Sequence, residues 1–300
     1  MKNVLSSNEL KRFWDKFTSS YLKTSNSIDS LFTTMCNLTM LEDLNKQVKI
    51  KNVLELACGP GKGLIHLANI FQGQNATICG TDLSTKMLDV AYDNLKRRKD
   101  INVEYKNFRN SSDSQSNESD RPTFHLYECD NENMDIFHDK NFDVILSNDS
   151  LHLVADPNKM LREAHRLLKD DGVACFTIWG RPENSFYFTL IPNTLKKLNI
   201  PLPNLRSNFH LCKESILHDL LNTNGFNKIN ICYIFIPFPV FKPEDFYHNF
   251  DAPIYSEILE KMEANTKREF LNEIDVQINN KLHKNQFIGA EFILIATRKF

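Results

Sequence analysis

The stretch that most constrains this chain is Val53-Leu-Glu-Leu-Ala-Cys-Gly-Pro-Gly-Lys-Gly63, together with the acid that follows it at Asp82. Val53, Leu54 and Leu56 read as the end of a buried strand. Cys58 to Gly63 holds too many glycines for strand or helix. Glycine lets the backbone take φ > 0 and lets a ligand come close, because no Cβ stands in the way. From Leu64 the apolar positions Leu64, Leu67, Ala68 and Phe71 fall at helical spacing. Strand, glycine turn and helix make the first unit of a nucleotide-binding α/β sheet. A second apolar run, Thr77 to Thr81, ends on Asp82. That acid stands about 20 residues past the glycines, where a carboxylate can accept both hydroxyls of a ribose.

Three kinds of cofactor turn compete for this segment. A P-loop needs Gly-x-x-x-x-Gly-Lys-Ser/Thr. Gly61-Lys62 supplies its end, but Leu56 stands at the first glycine and Gly63 at the Ser/Thr, which excludes it. A dinucleotide fingerprint needs Gly-x-Gly-x-x-Gly. Gly59 and Gly61 fit, and Leu64 takes the third place. The third form is acid-x-Gly/Ala-x-Gly-x-Gly with the acid at the strand end, and Glu55, Ala57, Gly59 and Gly61 match it. Here the stretch resembles motif I of the class I S-adenosylmethionine (SAM)-dependent methyltransferases. Phe142 to Pro157 resembles the same family's Phe-Asp-(Val/Ile)-(Val/Ile)-x-Ser-x-x-x-Leu-His-x-Val-x-Asp-Pro almost throughout. The resemblance covers roughly 50–180 and comes nearest the branch that methylates quinones, sterols, polyketides and other small molecules, as in the ubiquinone pathway.

The fold expected is α/β: a doubly wound, mostly parallel, seven-stranded Rossmann-like sheet with an antiparallel closing strand. Residues 1–48 read as a helical cap, 49–180 as the SAM-binding core, and 181–300 as substrate-facing helices and a closing hairpin. In the cap, Leu10, Phe13, Trp14, Phe17 and Tyr21 share one helix face. The resemblance makes Trp14 and Tyr21 candidates for a lid over the cofactor; the plain alternative is a packed amphipathic face. Ser84 is placed to cap the helix after Asp82. Residues 98–122, polar, acidic and without period from Asn110 to Asp120, read as a flexible insertion. Residues 243–286 read as a helical insertion between two closing strands.

Composition excludes several classes. Net charge is −2 and the sequence pI about 6.5, so there is no global basic field for nucleic acid. The 7 cysteines are scattered without a Cys-x-x-Cys pair. That argues against a zinc site and a disulfide framework, and it fits a reducing compartment. The N-terminus lacks a signal-like apolar region. The longest apolar run, Ile231 to Phe241, is too short for a bilayer. The expectation is a cytoplasmic protein with a small-molecule partner, no nucleic acid, no membrane span and no metal. Nothing in the sequence speaks to oligomeric state.

The resemblance distributes the roles. Backbone at Ala57, Cys58, Gly59 and Gly61 would pass close to the methionine part, with Glu55 at the strand end. Asp82, beside Leu83, would take the ribose. Met87, Asp130 and Asn131 would hold the adenine, and Ser147 would lie beside the sulfonium. S-adenosylhomocysteine would be the product. No general base announces itself; His152 and Asp149 are the candidates, against a packing role for the histidine. Two other readings stand beside the methyltransferase: a SAM-binding or catalytically silent partner protein, and an NAD(P)-binding oxidoreductase. Large apolar residues in the outer segments, such as Phe13, Trp14, Phe188 and Phe246, suit a lipophilic or aromatic acceptor if they converge; the plain alternative is that they form a core for the appended helices.

Overall fold

The computed structural model describes residues 2–24, 29–38, 50–105 and 121–299. Its frame is a sheet of eight strands among those residues: β1 (Asn52–Leu56), β2 (Thr77–Asp82), β3 (Asn102–Tyr105), β4 (Thr123–Glu128), β5 (Phe142–Ser147), β6 (Leu168–Trp179), β7 (Asn227–Pro237) and β8 (Gly289–Arg298). The spatial order is β3-β4-β2-β1-β5-β6-β8-β7. β1 to β6 run parallel, and β8 lies antiparallel between β6 and β7. The sheet reverses its winding at β1, flanked by β2 and β5. Ligands of doubly wound sheets bind in the crevice at such a switch point, beyond the strand ends.

Seven of these strands are those the sequence predicts. The eighth, Asn102–Tyr105, corrects the reading of 98–122 as one flexible insertion. It pairs in parallel with β4, Val103 opposite Phe124 and Tyr105 opposite Leu126. Four half-buried residues beside a long polar run leave too little alternation to be seen in sequence. The polar stretch 110–120 lies outside the described residues, as does 39–48 of the expected cap.

Side chains alternate across the sheet, as a period of two requires. Val53, Val144, Leu146, Phe292 and Leu294 enter one core; Leu54, Ile145, Ile293 and Ile295 enter the other. The first core is covered by α2 (Asp29–Leu38), α3 (Lys62–Ile70), α4 (Thr85–Lys96) and α6 (Phe186–Lys197). The second is covered by α5 (Pro157–Leu167) and α7 (Glu214–Thr223). Burial on both faces explains why the central strands read as unbroken apolar runs. The insertion between β7 and β8 is helical: a 3-10 segment Pro243–Asp251, α8 (Pro253–Glu260) and α9 (Ala264–His283). It joins the first core through Phe246, Leu259, Phe270, Ile274 and Ile278.

The amphipathic α1 (Ser7–Thr24) lies across the C-terminal ends of the strands. A capping box starts it: Ser6 Oγ accepts from Glu9 N–H, and Glu9 Oε2 accepts from Ser6 N–H at 2.9 Å. Its N-terminal half is fastened near the end of β2, where Lys11 Nζ reaches Glu128 Oε1 at 2.7 Å, Thr85 Oγ1 at 2.6 Å and the Leu83 carbonyl at 3.1 Å. Ser84 Oγ donates to Asp15 Oδ1 at 2.6 Å. Farther along, Ser20 Oγ donates to Asp251 Oδ2 at 3.0 Å, tying the helix to the C-terminal insertion. No helix among the described residues is long and apolar enough to cross a membrane.

Candidate functional site

The site grows from the turn after β1. Ala57 and Gly59 both take φ of 52°, and Gly61 takes 77°. Gly59 and Gly61 answer to different constraints. A Cβ at Gly59 would meet nothing within 4 Å, so the space over this backbone is open. A Cβ at Gly61 would stand 2.8 Å from that of Ala91, so this glycine lets the turn pack on α4. Asp82, at the end of β2, locks the turn from the other side. Its Oδ2 accepts from Gly59 N–H and its Oδ1 from Ser84 N–H, each at 2.8 Å. Burial pushes its carboxyl up to about 6, against the opposing pull of those two N–H groups.

Two cavities flank the glycine turn and share Tyr21, Ala57, Gly59 and Asn148, so they are two halves of one trough. The first, about 100 Å³, is bounded by Asp82, Leu83, Met87, Asp130 and Asn131, with Trp14 and Tyr21 of α1 over it. The second, about 220 Å³, is bounded by Glu55, Cys58, Asp29, Lys62 and Phe32. Together they reach the lower end of the roughly 300–1,000 Å³ typical of small-molecule sites. Glu55 is 3% exposed, and its Oε2 has no hydrogen-bond partner among the described residues. Burial, then the nearby Asp82, hold its carboxyl well above the usual range. Gly63 makes room for it, since a Cβ there would fall 2.2 Å from Glu55 Oε1.

A third cavity of about 630 Å³ adjoins the trough and shares Leu10, Trp14 and Leu153 with it. Its walls are aromatic: Trp179 stacks on Phe188 with ring centroids 3.8 Å apart, and Phe209 packs against Trp179 at 5.2 Å. Its charged residues are Lys2 and Arg206, and the arginine hydrogen bonds to the carbonyls of Val154 and Ala155.

The structure brings most of the sequence candidates to the trough: Tyr21, Glu55, Ala57, Cys58, Gly59, Asp82, Leu83, Met87, Asp130, Asn131 and Asp149 line it. Three are placed otherwise. Gly61 faces α4. Ser147 is fully buried, and its hydroxyl is bonded to that of Ser150 rather than turned to the trough. His152, 1% exposed, lines none of these cavities and packs behind Asp149 against Trp179. Helix and loop wrap these groups inward after β5, which strand-end spacing does not reveal. Sequence reasoning missed Asp29, Lys62, Asn148 and Leu153 as lining groups, and Lys11 and Asp15 as the clasp of α1. The Lys62–Asp29 pair, 3.2 Å apart, joins α2 to α3, and only the packing of those helices shows it.

Sheet order, glycine turn and strand-end acids define an α/β protein that binds a ribose-bearing cofactor at the switch point of its sheet. Comparison with known proteins makes this specific. Residues 54–176 match the family described as methyltransferase domain. The chain is 26% identical over 200 residues to a demethylmenaquinone methyltransferase of Lactobacillus johnsonii, covering 62% of this chain and 73% of that one. It is 32% identical over 125 residues to an arsenite methyltransferase of Aquipseudomonas alcaligenes, covering 42% of this chain and only 32% of that one. Among solved structures, the [4+2]-cyclase SpnF shares the fold over 99% of this chain and 98% of its own, with a TM-score of 0.54 at 15% identity. The segment built around the glycine turn is thus similar to the methyltransferase domain of the class I SAM-dependent kind.

Proposed function

We propose that the trough binds SAM and that the chain transfers its methyl group to a small lipophilic or aromatic molecule held in the adjoining chamber. The charge of the trough supports the cofactor reading. Five acidic side chains, Glu55, Asp82, Asp130, Glu132 and Asp149, line it against one lysine, Lys62; burial holds Glu55 and Asp149 largely protonated until a cation enters, and the lining offers no cluster of cations to a pyrophosphate. SAM carries two positive groups and one carboxylate, so it suits such a lining; the pyrophosphate of a dinucleotide does not. Asp82 accepts the ribose hydroxyls. Met87, Asp130 and Asn131 border the adenine. The open backbone at Ala57 to Gly59 admits the methionine chain, and the unpartnered Glu55 Oε2 receives its ammonium. Trp14 and Tyr21 of α1 exclude water and offer aromatic faces to a sulfonium. When bound, SAM supplies an activated methyl, and the main work of the protein is alignment, worth about 7–11 kcal/mol.

The observation that carries the acceptor reading is the 630 Å³ aromatic chamber opening on the trough at Leu10, Trp14 and Leu153. A quinone, as in the name of the Lactobacillus relative, is a flat apolar molecule of the kind such walls fit. Arsenite suits it less. Trivalent arsenic is a soft, thiol-seeking acceptor, and among the described residues no cysteine lines the chamber. The test is to offer radiolabelled SAM with fractionated cell extract and follow the label. Label in organic-soluble small molecules is expected; label only in protein or nucleic acid overturns the assignment.

A further inference from the structure

We infer that Asp149 is the catalytic base, that His152 is its positioning residue, and that the acceptor is methylated on an acidic hydroxyl of the phenol or enol kind. The inference rests on the reading that the chamber holds the acceptor. Its ground is a set of buried polar atoms left open in the wall between trough and chamber. Asp149 Oδ1, both ring nitrogens of His152, Trp179 Nε1 and His210 Nε2 are buried and have no hydrogen-bond partner among the described residues. They come from three parts of the chain: the turn after β5, the end of β6, and the segment between α6 and α7. Neighbouring polar groups are paired. Ser147 bonds Ser150, Thr177 bonds Asn148, and Arg206 bonds two carbonyls. Folded proteins pair their buried polar atoms almost throughout, so a cluster left open beside a cavity calls for a functional account.

The geometry singles out Asp149. Its backbone takes φ of 57°, a left-handed conformation that aspartate tolerates better than most residues. Its N–H donates to Thr177 Oγ1 at 2.7 Å, and that hydroxyl donates to Asn148 Oδ1 at 2.7 Å, which fixes the turn. The side chain lines the trough and is 11% exposed, while His152 Nε2 lies 3.7 Å behind Oδ1. Trp179, whose ring is 5.3 Å from His152, forms part of the chamber wall. The charged and titratable groups that bear on the pair are few. Tyr21 of α1 faces Asp149 across the trough, and His210 and Arg206 act on His152. Burial, then His210 and Arg206, keep the His152 imidazole neutral, so it can donate one N–H to an ionised Asp149. Burial pushes the Asp149 carboxyl up to about 8, and the Trp179 indole, which completes no hydrogen bond, offsets only part of this.

A base of that strength matches an acceptor of similar acidity. A phenol titrates near 10, within reach of a carboxylate raised to about 8, whereas an aliphatic alcohol lies far above it. A neutral amine is already a nucleophile and needs no base. The stacked Trp179 and Phe188 give an aromatic acceptor a flat wall to lie against. In the transfer, the Asp149 carboxylate takes the hydroxyl proton and becomes a carboxylic acid. An oxygen lone pair forms the new bond to the methyl carbon, the carbon–sulfur bond breaks, and its electron pair stays on sulfur. One positive and one negative charge disappear together in a dry site, and no further reactant is consumed.

The test uses the whole chain with SAM and three probes: 2-naphthol, 2-naphthylamine and a long-chain aliphatic alcohol. Naphthol is expected to be methylated, with kcat rising with pH to a plateau above about 8. Asp149→Asn is expected to lower kcat about a hundredfold or more and to abolish the rising limb, with SAM affinity by calorimetry kept within a few-fold. His152→Gln is expected to move the limb to higher pH with a smaller rate loss, which a purely structural role would not do. Carbon NMR of aspartate carboxyls in the protein without SAM gives a second readout. One carboxyl is expected to titrate near 8 in the wild type and to vanish in Asp149→Asn. An unchanged pH limb in Asp149→Asn, an Asp149 that titrates in the ordinary carboxylate range, or transfer to naphthylamine but not naphthol overturns the inference. Wild type that binds SAM but methylates no probe and no small molecule from extract overturns the chamber reading, and this inference with it.

Discussion

Asp82 is the residue on which the cofactor reading can be tested most directly, through Asp82→Asn. Its carboxyl titrates at about 6 in the fold against 3.8 in a free chain, and the side chain is 8% exposed. An acid whose folded pKa is raised binds its proton more tightly folded than unfolded. Its contribution to stability is therefore whole below pH 3.8, falls as pH rises through the folded value of about 6, and is fully lost by pH 7. The loss comes to about 3 kcal/mol. Asparagine removes that penalty but gives up one of the two charge-assisted bonds from Gly59 and Ser84, about 1.5–3 kcal/mol. The variant is thus expected to melt within a few degrees of wild type at pH 7, and its stability relative to wild type should improve from pH 4 to pH 6 and then level off. Binding behaves differently. Two ribose hydroxyls on an ionised acceptor contribute about 1.5–3 kcal/mol each, so SAM affinity should fall roughly hundredfold or more. Wild-type affinity should weaken as pH drops below about 6, because the proton competes with the ribose. Calorimetry at pH 5 and pH 8, with melts at each pH, measures both effects. A folded Asp82→Asn that binds SAM as wild type does, or a wild-type affinity flat across that range, refutes the reasoning.

The two glycines of the turn should separate by assay. Gly61→Ala places a Cβ 2.8 Å from Ala91 Cβ at φ of 77° and should cost about 1–3 kcal/mol of stability in chemical denaturation. Gly59→Ala has open space around it but takes φ of 52°, so it should cost only the left-handed strain, about 1–2 kcal/mol, and should in addition weaken SAM binding, where its Cβ enters the trough. Lys11→Met cuts the half-exposed clasp of α1 at Glu128 and should cost less than about 1 kcal/mol, while stopped-flow release of S-adenosylhomocysteine becomes faster; an unchanged release rate would mean that α1 is no gate. Glu291, 6% exposed, accepts from Arg181 and Asn184 beneath the chamber wall. Glu291→Ala removes the acceptor of Arg181 and Asn184, but the Arg181 side chain is 47% exposed and stays hydrated, so a denaturant titration is expected to show a smaller loss than a fully buried pair would give.

Much of this was legible in the sequence because it depends on neighbours in the chain. The glycine turn, Asp82 at a strand end, Ser84 as helix cap and the alternation of buried strands are local consequences of backbone freedom, capping and a period of two. The cap Ser84 accepts from Met87 N–H at 3.2 Å, as the sequence predicts. What the sequence could not carry depends on groups far apart in the chain. The strand Asn102–Tyr105 exists because β4 offers it an edge, not because its own four residues insist on extended structure. Ser147 has a strand-end position like that of Asp82, yet it is fully buried and its hydroxyl is bonded to that of Ser150. His152, a candidate base in sequence with a packing role as its alternative, is folded behind Asp149 by the turn after β5. The chamber, the Lys62–Asp29 pair and the open polar atoms of Asp149, His152, Trp179 and His210 are each assembled from segments tens of residues apart. Local physics set the cofactor turn from the sequence by itself; the acceptor side was decided only when the tertiary packing chose which polar groups to pair and which to leave open.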